Sequence, residues 1–176
     1  MLSAYRGIGK TQAALAIAYA VASGGKFLKW SAPEPQPILY IDGEMPATEM
    51  QARLRRIDAG ADAKALPQNF RIITPDLCDG VLPDLATAEG QERIEAATGK
   101  AKLIVVDNLS CLARTGIEND AESWNVVAEW ALRMRRQHRA VIFIHHAGKN
   151  GGQRGTSKRE DLLDTSVTLS RPPGYV

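Results

Sequence analysis

Residues 4–11, Ala4-Tyr5-Arg6-Gly7-Ile8-Gly9-Lys10-Thr11, carry the reading of this chain: they meet the pattern GxxxxGK[ST] at every position but the first. Gly7 and Gly9 let the backbone turn its N–H groups inward around phosphate oxygens. The Lys10 ammonium reaches the terminal phosphates, and the Thr11 hydroxyl is suited to magnesium. A helix that begins here adds the positive end of its dipole. Ala4, Arg6, Gly7, Ile8, Gly9, Lys10, Thr11 and Gln12 are therefore the expected nucleotide-phosphate contacts. Taken alone, the same residues also suit a glycine-rich turn before a helix. Only Met1 to Ser3 precede the loop, so the strand that should lead into it is expected to be truncated or missing, the mark of a fragment, a misplaced start or a shortened variant. Its loss would expose backbone groups of the neighbouring strands unless another segment fills the gap.

Working outward, TQAALAIAYAVAS after Lys10 is rich in Ala and stops at a glycine pair, which predicts a buried helix over 10–23. SAPEPQP at 31–37 is a Pro-rich connector. PILYID at 37–42, FRIIT at 70–74, KLIVVD at 102–107 and AVIFIH at 140–145 read as buried strands. PATEMQARLRRID at 46–58, AEGQERIEAAT at 88–98 and AESWNVVAEWALRMRRQH at 121–138 read as helices, the last strongly amphipathic. TSVTLSRP at 165–172 alternates and predicts one more strand near a sheet edge. Near-continuous apolar strands alternating with helices argue for an α/β fold whose mostly parallel central sheet is covered on both faces.

Three of those strands end in groups that carry chemistry. Asp107 closes KLIVVD, and a carboxylate there suits a metal held beside the phosphates; an Asp at a strand end can also merely cap the next turn. Asp42 and Glu44 follow PILYI where α/β sheets place ligand-facing groups. Glu44 is the favoured group for orienting an attacking water, while Asp42 could be the working acid, or both could satisfy backbone donors. His145 and His146 close AVIFI; either could touch the terminal phosphate or bond to backbone. The following stretch GKNGGQRGTSKRED carries Lys149, Arg154, Lys158 and Arg159 and suits a nucleic-acid backbone or a neighbouring subunit's site, although no aromatic residue in it supports base stacking.

The bulk properties bound these readings. With 176 residues, 44% of them hydrophobic, the chain suits one domain over 1–176, and a net charge of +2 gives only weak support for a nucleic-acid partner. Cys78 and Cys111 are too far apart for a CxxC pair, read as reduced thiols near the core, and imply no metal site. No apolar run approaches about 18 residues and the start lacks a secretion signal, so no membrane partner is expected and the expected location is the cytoplasm.

Taken together, AYRGIGKT, YIDGEMP, LIVVDN and FIHHAGKNGGQRGTS, in this order and over nearly the whole chain, resemble the RecA-like P-loop ATPases of the RepA type, the hexameric replicative helicases of plasmids and phages, with an AAA-type ATPase domain. The resemblance implies a three-layer RecA-like fold. It also implies that Lys10 and Thr11 bind ATP and Mg2+, that Glu44 activates water, that Asp107 supports the metal, and that His145 or His146 senses phosphate. Beyond the single chain, it implies a homo-oligomer, a hexameric ring acting on single-stranded DNA. Arg154, Arg159 and Arg171 are the candidates for an arginine reaching a neighbour's site. An ATP-dependent regulatory switch, or a DNA-binding module without unwinding, is the alternative.

Overall fold

The computed structural model describes residues 1–60, 68–115, 121–146, 162–172 and 174. Six strands build the main sheet: β1 (Leu2–Ala4), β4 (Ile38–Asp42), β5 (Phe70–Ile73), β6 (Leu103–Asp107), β7 (Ala140–His146) and β8 (Val167–Thr168). They lie in the order β5-β4-β6-β7-β1-β8, and every pairing between them is parallel. The short strands β2 (Lys26–Phe27) and β3 (Trp30–Ser31) form a separate antiparallel hairpin. Among the described residues five helices accompany them: α1 (Lys10–Ser23), α2 (Ala47–Ala59), α3 (Ala88–Thr98), α4 (Leu109–Leu112) and α5 (Ala121–Arg136).

The alternation of side chains along each strand sorts the core into two halves. Leu39, Ile41, Ile104, Val106 and Phe143 point to the face covered by α3 and α5, where Ile94, Val127, Trp130 and Met134 meet them. Ile38, Tyr40, Leu103, Val105 and Ile144 point to the opposite face, against Ala14, Leu15 and Ala18 of α1 and Met50 and Leu54 of α2. β4 and β6 are buried along their whole length. That explains why their sequences are unbroken apolar runs and do not alternate with polar residues.

The strand in front of the glycine loop is short but present. Leu2, Ser3 and Ala4 pair with Ile144, His145 and His146 of β7 on one side, and Leu2 and Ser3 pair with Val167 and Thr168 of β8 on the other. The strand expected to be truncated or missing is thus present as three residues, and with partners on both sides it leaves no gap between β7 and β8. β8 is an edge strand, as its alternating sequence predicted. The hairpin, a 3-10 turn at Pro75–Cys78 and α4 have no counterpart in the sequence reading; each is too short to show a period.

Phe143 is 3% exposed and packs its ring against Trp124 and Trp130, with centroid distances of 5.8 and 6.4 Å. Removing that ring leaves a cavity between two fixed indoles. Phe143→Ala is expected to lower unfolding stability by about 3–5 kcal/mol in urea titration; a loss under about 1 kcal/mol would show that this layer repacks freely.

Candidate nucleotide site

The parallel register aligns the strand ends that carry polar groups. Asp42 lies beside Asp107, and Ala4 beside His146, so four neighbouring strands open onto one cleft of ≈ 540 Å³ at their C-terminal ends. Arg6, Gly7, Gly9, Lys10, Thr11 and Gln12 line it from the loop side, and Asp42, Glu44, Asp107 and His146 line it from the sheet. Of the expected contacts, Ala4 and Ile8 do not line the cleft. Ala4 is the last residue of β1 and 1% exposed, and its place in the strand needs no left-handed backbone, so alanine fits there without strain. A larger apolar cavity, ≈ 620 Å³, opens between the hairpin, α1 and α5 and includes none of these site residues.

Gly7 and Gly9 have φ values of 77° and 98°, the left-handed region, and Gly9 is the N-cap of α1. Lys10 is 6% exposed and its Nζ donates to the carbonyl oxygens of Ala4 and Tyr5, each at 2.9 Å. Burial lowers the pKa of this ammonium, with Arg6 acting the same way and Asp107 and Glu44 opposing.

Asp107 is 4% exposed and accepts hydrogen bonds from the Tyr40 hydroxyl at 2.7 Å and from the Thr11 side chain. Burial nevertheless raises its pKa. The two acids after β4 take different positions. Asp42 is 2% exposed, and its Oδ1 accepts from the backbone N–H groups of Glu44 at 2.8 Å and Met45 at 2.6 Å. It therefore closes the turn. Burial pushes its pKa up to about 6 against those two backbone bonds, and the charges of Asp107 and Glu44 add to the rise.

The Glu44 side chain is 52% exposed and its Oε1 accepts from Asn108 Nδ2 at 2.7 Å and from the Cys111 thiol at 3.4 Å. Partial burial opposes its ionisation, but these donors together with His146 and Arg6 outweigh it, so the pKa is lowered. Gly43 between the two acids permits a close approach: a Cβ there would collide with that of Cys111 on α4.

The two histidines separate because neighbours on a strand face opposite ways. His146 lines the cleft, with Nε2 3.2 Å from Asn108 Nδ2 and 3.8 Å from Glu44 Oε1. Burial lowers its pKa, and Lys10 and Arg6 reinforce that against Glu44 and Asp107. His145 is 1% exposed, sits on the Phe143 face, and is not brought to the cleft. Lys149, Arg154, Lys158 and Arg159 lie outside the described residues. Arg171 is exposed beyond β8, away from the cleft lining.

The sequence reading missed Asn108, Arg53, Met45 and Cys111, all beside these groups. Asn108 was the detectable one, since Asn followed by LSCL is a helix N-cap signature directly after Asp107. Among the described residues no three His, Cys, Asp or Glu side chains cluster as a metal site. The two cysteines are free and half-buried.

This arrangement is that of the RecA-like fold. A KaiC-like protein from the hyperthermophilic archaeon Pyrococcus horikoshii superposes with a TM-score of 0.60 at 17% identity, covering 95% of this chain and 68% of that one. The flagellar accessory protein FlaH from Methanocaldococcus jannaschii superposes with a TM-score of 0.61 at 11% identity, with the same coverage of 95% and 68%. Residues 1–152 match the AAA domain family, and the chain belongs to it as a RecA-like P-loop ATPase. No described helix is long and apolar enough to cross a membrane.

Because folding raises the Asp42 pKa from 3.8 to about 6, the folded chain holds a proton that the unfolded chain releases between those values. Its contribution to stability therefore falls as pH rises through that window. Asp42→Asn keeps an acceptor for the turn and removes the titration. Relative to wild type, the variant is expected to gain about 1–3 kcal/mol in unfolding free energy between pH 4 and pH 8. Parallel curves for the two proteins would contradict the assignment.

Proposed function

We propose that the chain is an ATP-hydrolysing motor domain of the replicative-helicase type, working as a hexameric ring on single-stranded DNA. The observation that carries the hydrolytic part is the convergence of Lys10, the Thr11–Asp107 pair and Glu44 around one cleft at the ends of adjacent strands. The loop backbone and Lys10 cradle the phosphates. The Thr11 hydroxyl and Asp107 carboxylate, hydrogen-bonded to each other beside the loop, are hard oxygen ligands that fit magnesium. Magnesium, when bound, offsets negative charge that grows on the phosphoryl oxygens.

Glu44, ionised and half-exposed, orients a water and accepts its proton as the water oxygen bonds to the γ-phosphorus. The bond to the β-phosphate oxygen breaks at the same time. In this reading His146 contacts the γ-phosphate, a role supported by its position in the cleft lining. Asp42 is spent on the turn.

Support for the helicase reading comes from the order of the four motifs and from the cationic segment 148–161 after β7. A second reading, an ATP-dependent switch without unwinding, draws on Glu44 itself: two hydrogen-bond donors lower its pKa and weaken it as a base, which suits slow turnover.

Lys10→Ala is expected to lower ATP turnover by at least about a hundredfold. Glu44→Gln should retain nucleotide affinity within a few fold while turnover falls by about 10²–10⁴; full activity in that variant sinks the role given to Glu44. The motor and the switch are separated by ATPase rates with and without single-stranded DNA, unwinding of a forked duplex, and light-scattering mass. Stimulation, strand separation and a six-fold mass are expected. A monomer that hydrolyses ATP and separates no strands would leave the switch.

A further inference from the structure

Asn108, a polar side chain of the cleft lining, has none of the four motif roles. It follows Asp107 and is 3% exposed. Its Oδ1 lies 3.2 Å from the backbone nitrogen of Cys111, as the N-cap of α4. A backbone N–H can only donate, so this contact settles which end of the amide is oxygen. The Nδ2 end then faces two acceptor positions, Glu44 Oε1 at 2.7 Å and His146 Nε2 at 3.2 Å.

We propose that Asn108 is a positioning residue: through one amide it aims the Glu44 carboxylate and holds His146 with Nε2 as an acceptor, which ties the two groups together. The role in turnover rests on the hydrolytic reading above; the hold on His146 does not. A proton on Nε2 would set two donors against each other, so the imidazole carries its proton on Nδ1. Nδ1 is buried and meets no hydrogen-bond partner among the described residues in either tautomer, so the Nε2 contact decides between them.

The charges around the pair come from several elements, Lys10 and Arg6 of the loop and Asp107 of β6, while the Cys111 thiol of α4, its pKa pushed up to about 11, donates to Glu44 as a neutral group. Asn108 itself is held at both ends. Its amide caps α4, and the carbonyl of the preceding Asp107 accepts from Gly43 N at 2.6 Å, which joins the exits of β4 and β6. A displacement of His146 therefore reaches Glu44 through a shared partner and not through open solvent.

Two substitutions separate the amide from the cap. Asn108→Asp keeps an oxygen at the cap and turns two donors into a carboxylate facing Glu44. Asn108→Ser keeps a capping oxygen and deletes the amide. With three histidines in the chain, His146 can be assigned in 15N–1H spectra of the whole protein by comparison with His146→Gln. The expected result is the Nδ1–H tautomer in wild type and the Nε2–H tautomer in Asn108→Asp. In both variants kcat falls by about tenfold to a hundredfold, while affinity for a non-hydrolysable ATP analogue stays within about threefold.

An Nε2–H tautomer in wild type, or an unchanged tautomer and kcat in Asn108→Asp, overturns the proposal. So does a loss of analogue binding equal to the loss of kcat, since a positioning role acts on turnover. Should wild-type protein hydrolyse no ATP, it is the hydrolytic reading that fails, and the tautomer still decides whether Asn108 holds His146.

Discussion

A carboxylate with 4% of its surface in water is costly unless protein groups replace its hydration, and Asp107 is in that position. Its compensation comes from three groups on two elements: the Tyr40 hydroxyl from β4, and the Thr11 side chain and nearby charge of Lys10 at the start of α1. Each of those groups is fixed by the core beneath it. Tyr40 is fully buried among Leu15, Ile38 and Val105, and Lys10 is anchored on the carbonyls at the end of β1. The site and the core thus depend on each other, because the apolar packing against α1 sets the distance at which Thr11 and Tyr40 meet the acid.

The same constraint divides labour among the acids. Asp42 and Asp107 sit side by side in register and both resist ionisation through burial, so a third negative charge among them would be poorly tolerated. Glu44 escapes because it stands two residues past the strand, half in solvent, with donors of its own. The chain leaves β4 through a turn that buries one acid and projects the next. Gly43 allows this, because only a residue without a side chain fits under Cys111.

Much of this was legible in the sequence where a strand is buried on both faces. ILYID, LIVVD and AVIFIHH are apolar runs that end abruptly in polar groups, and the structure ends the strands at those residues. Helix α1 ends at the glycine pair that marked its stop, and α3 occupies the expected 88–98, with Thr87 as its N-cap. What could not be read depends on long-range pairing. Leu2–Ala4 is too short for any period, and its strand exists because residues more than 130 positions away flank it. The two-residue strands of the hairpin fail for the same reason. The choice between Asp42 and Glu44 turned on which carboxylate meets backbone N–H groups, and Asn108 was hidden because its importance lies in where its amide points.

The adjacent histidines carry one more implication. A slip of β7 by a single residue would exchange them, presenting His145 to the cleft, but it would also turn Phe143 toward α1. That helix offers Ala14 and Ala18, a surface already packed by smaller side chains, whereas the opposite face holds a slot between two indoles. An aromatic ring on the far side of the sheet thereby acts as a key for the near side. The choice of imidazole is enforced by steric exclusion three residues from the imidazole itself, so the cleft's chemistry is inherited from the shape of a core it never touches.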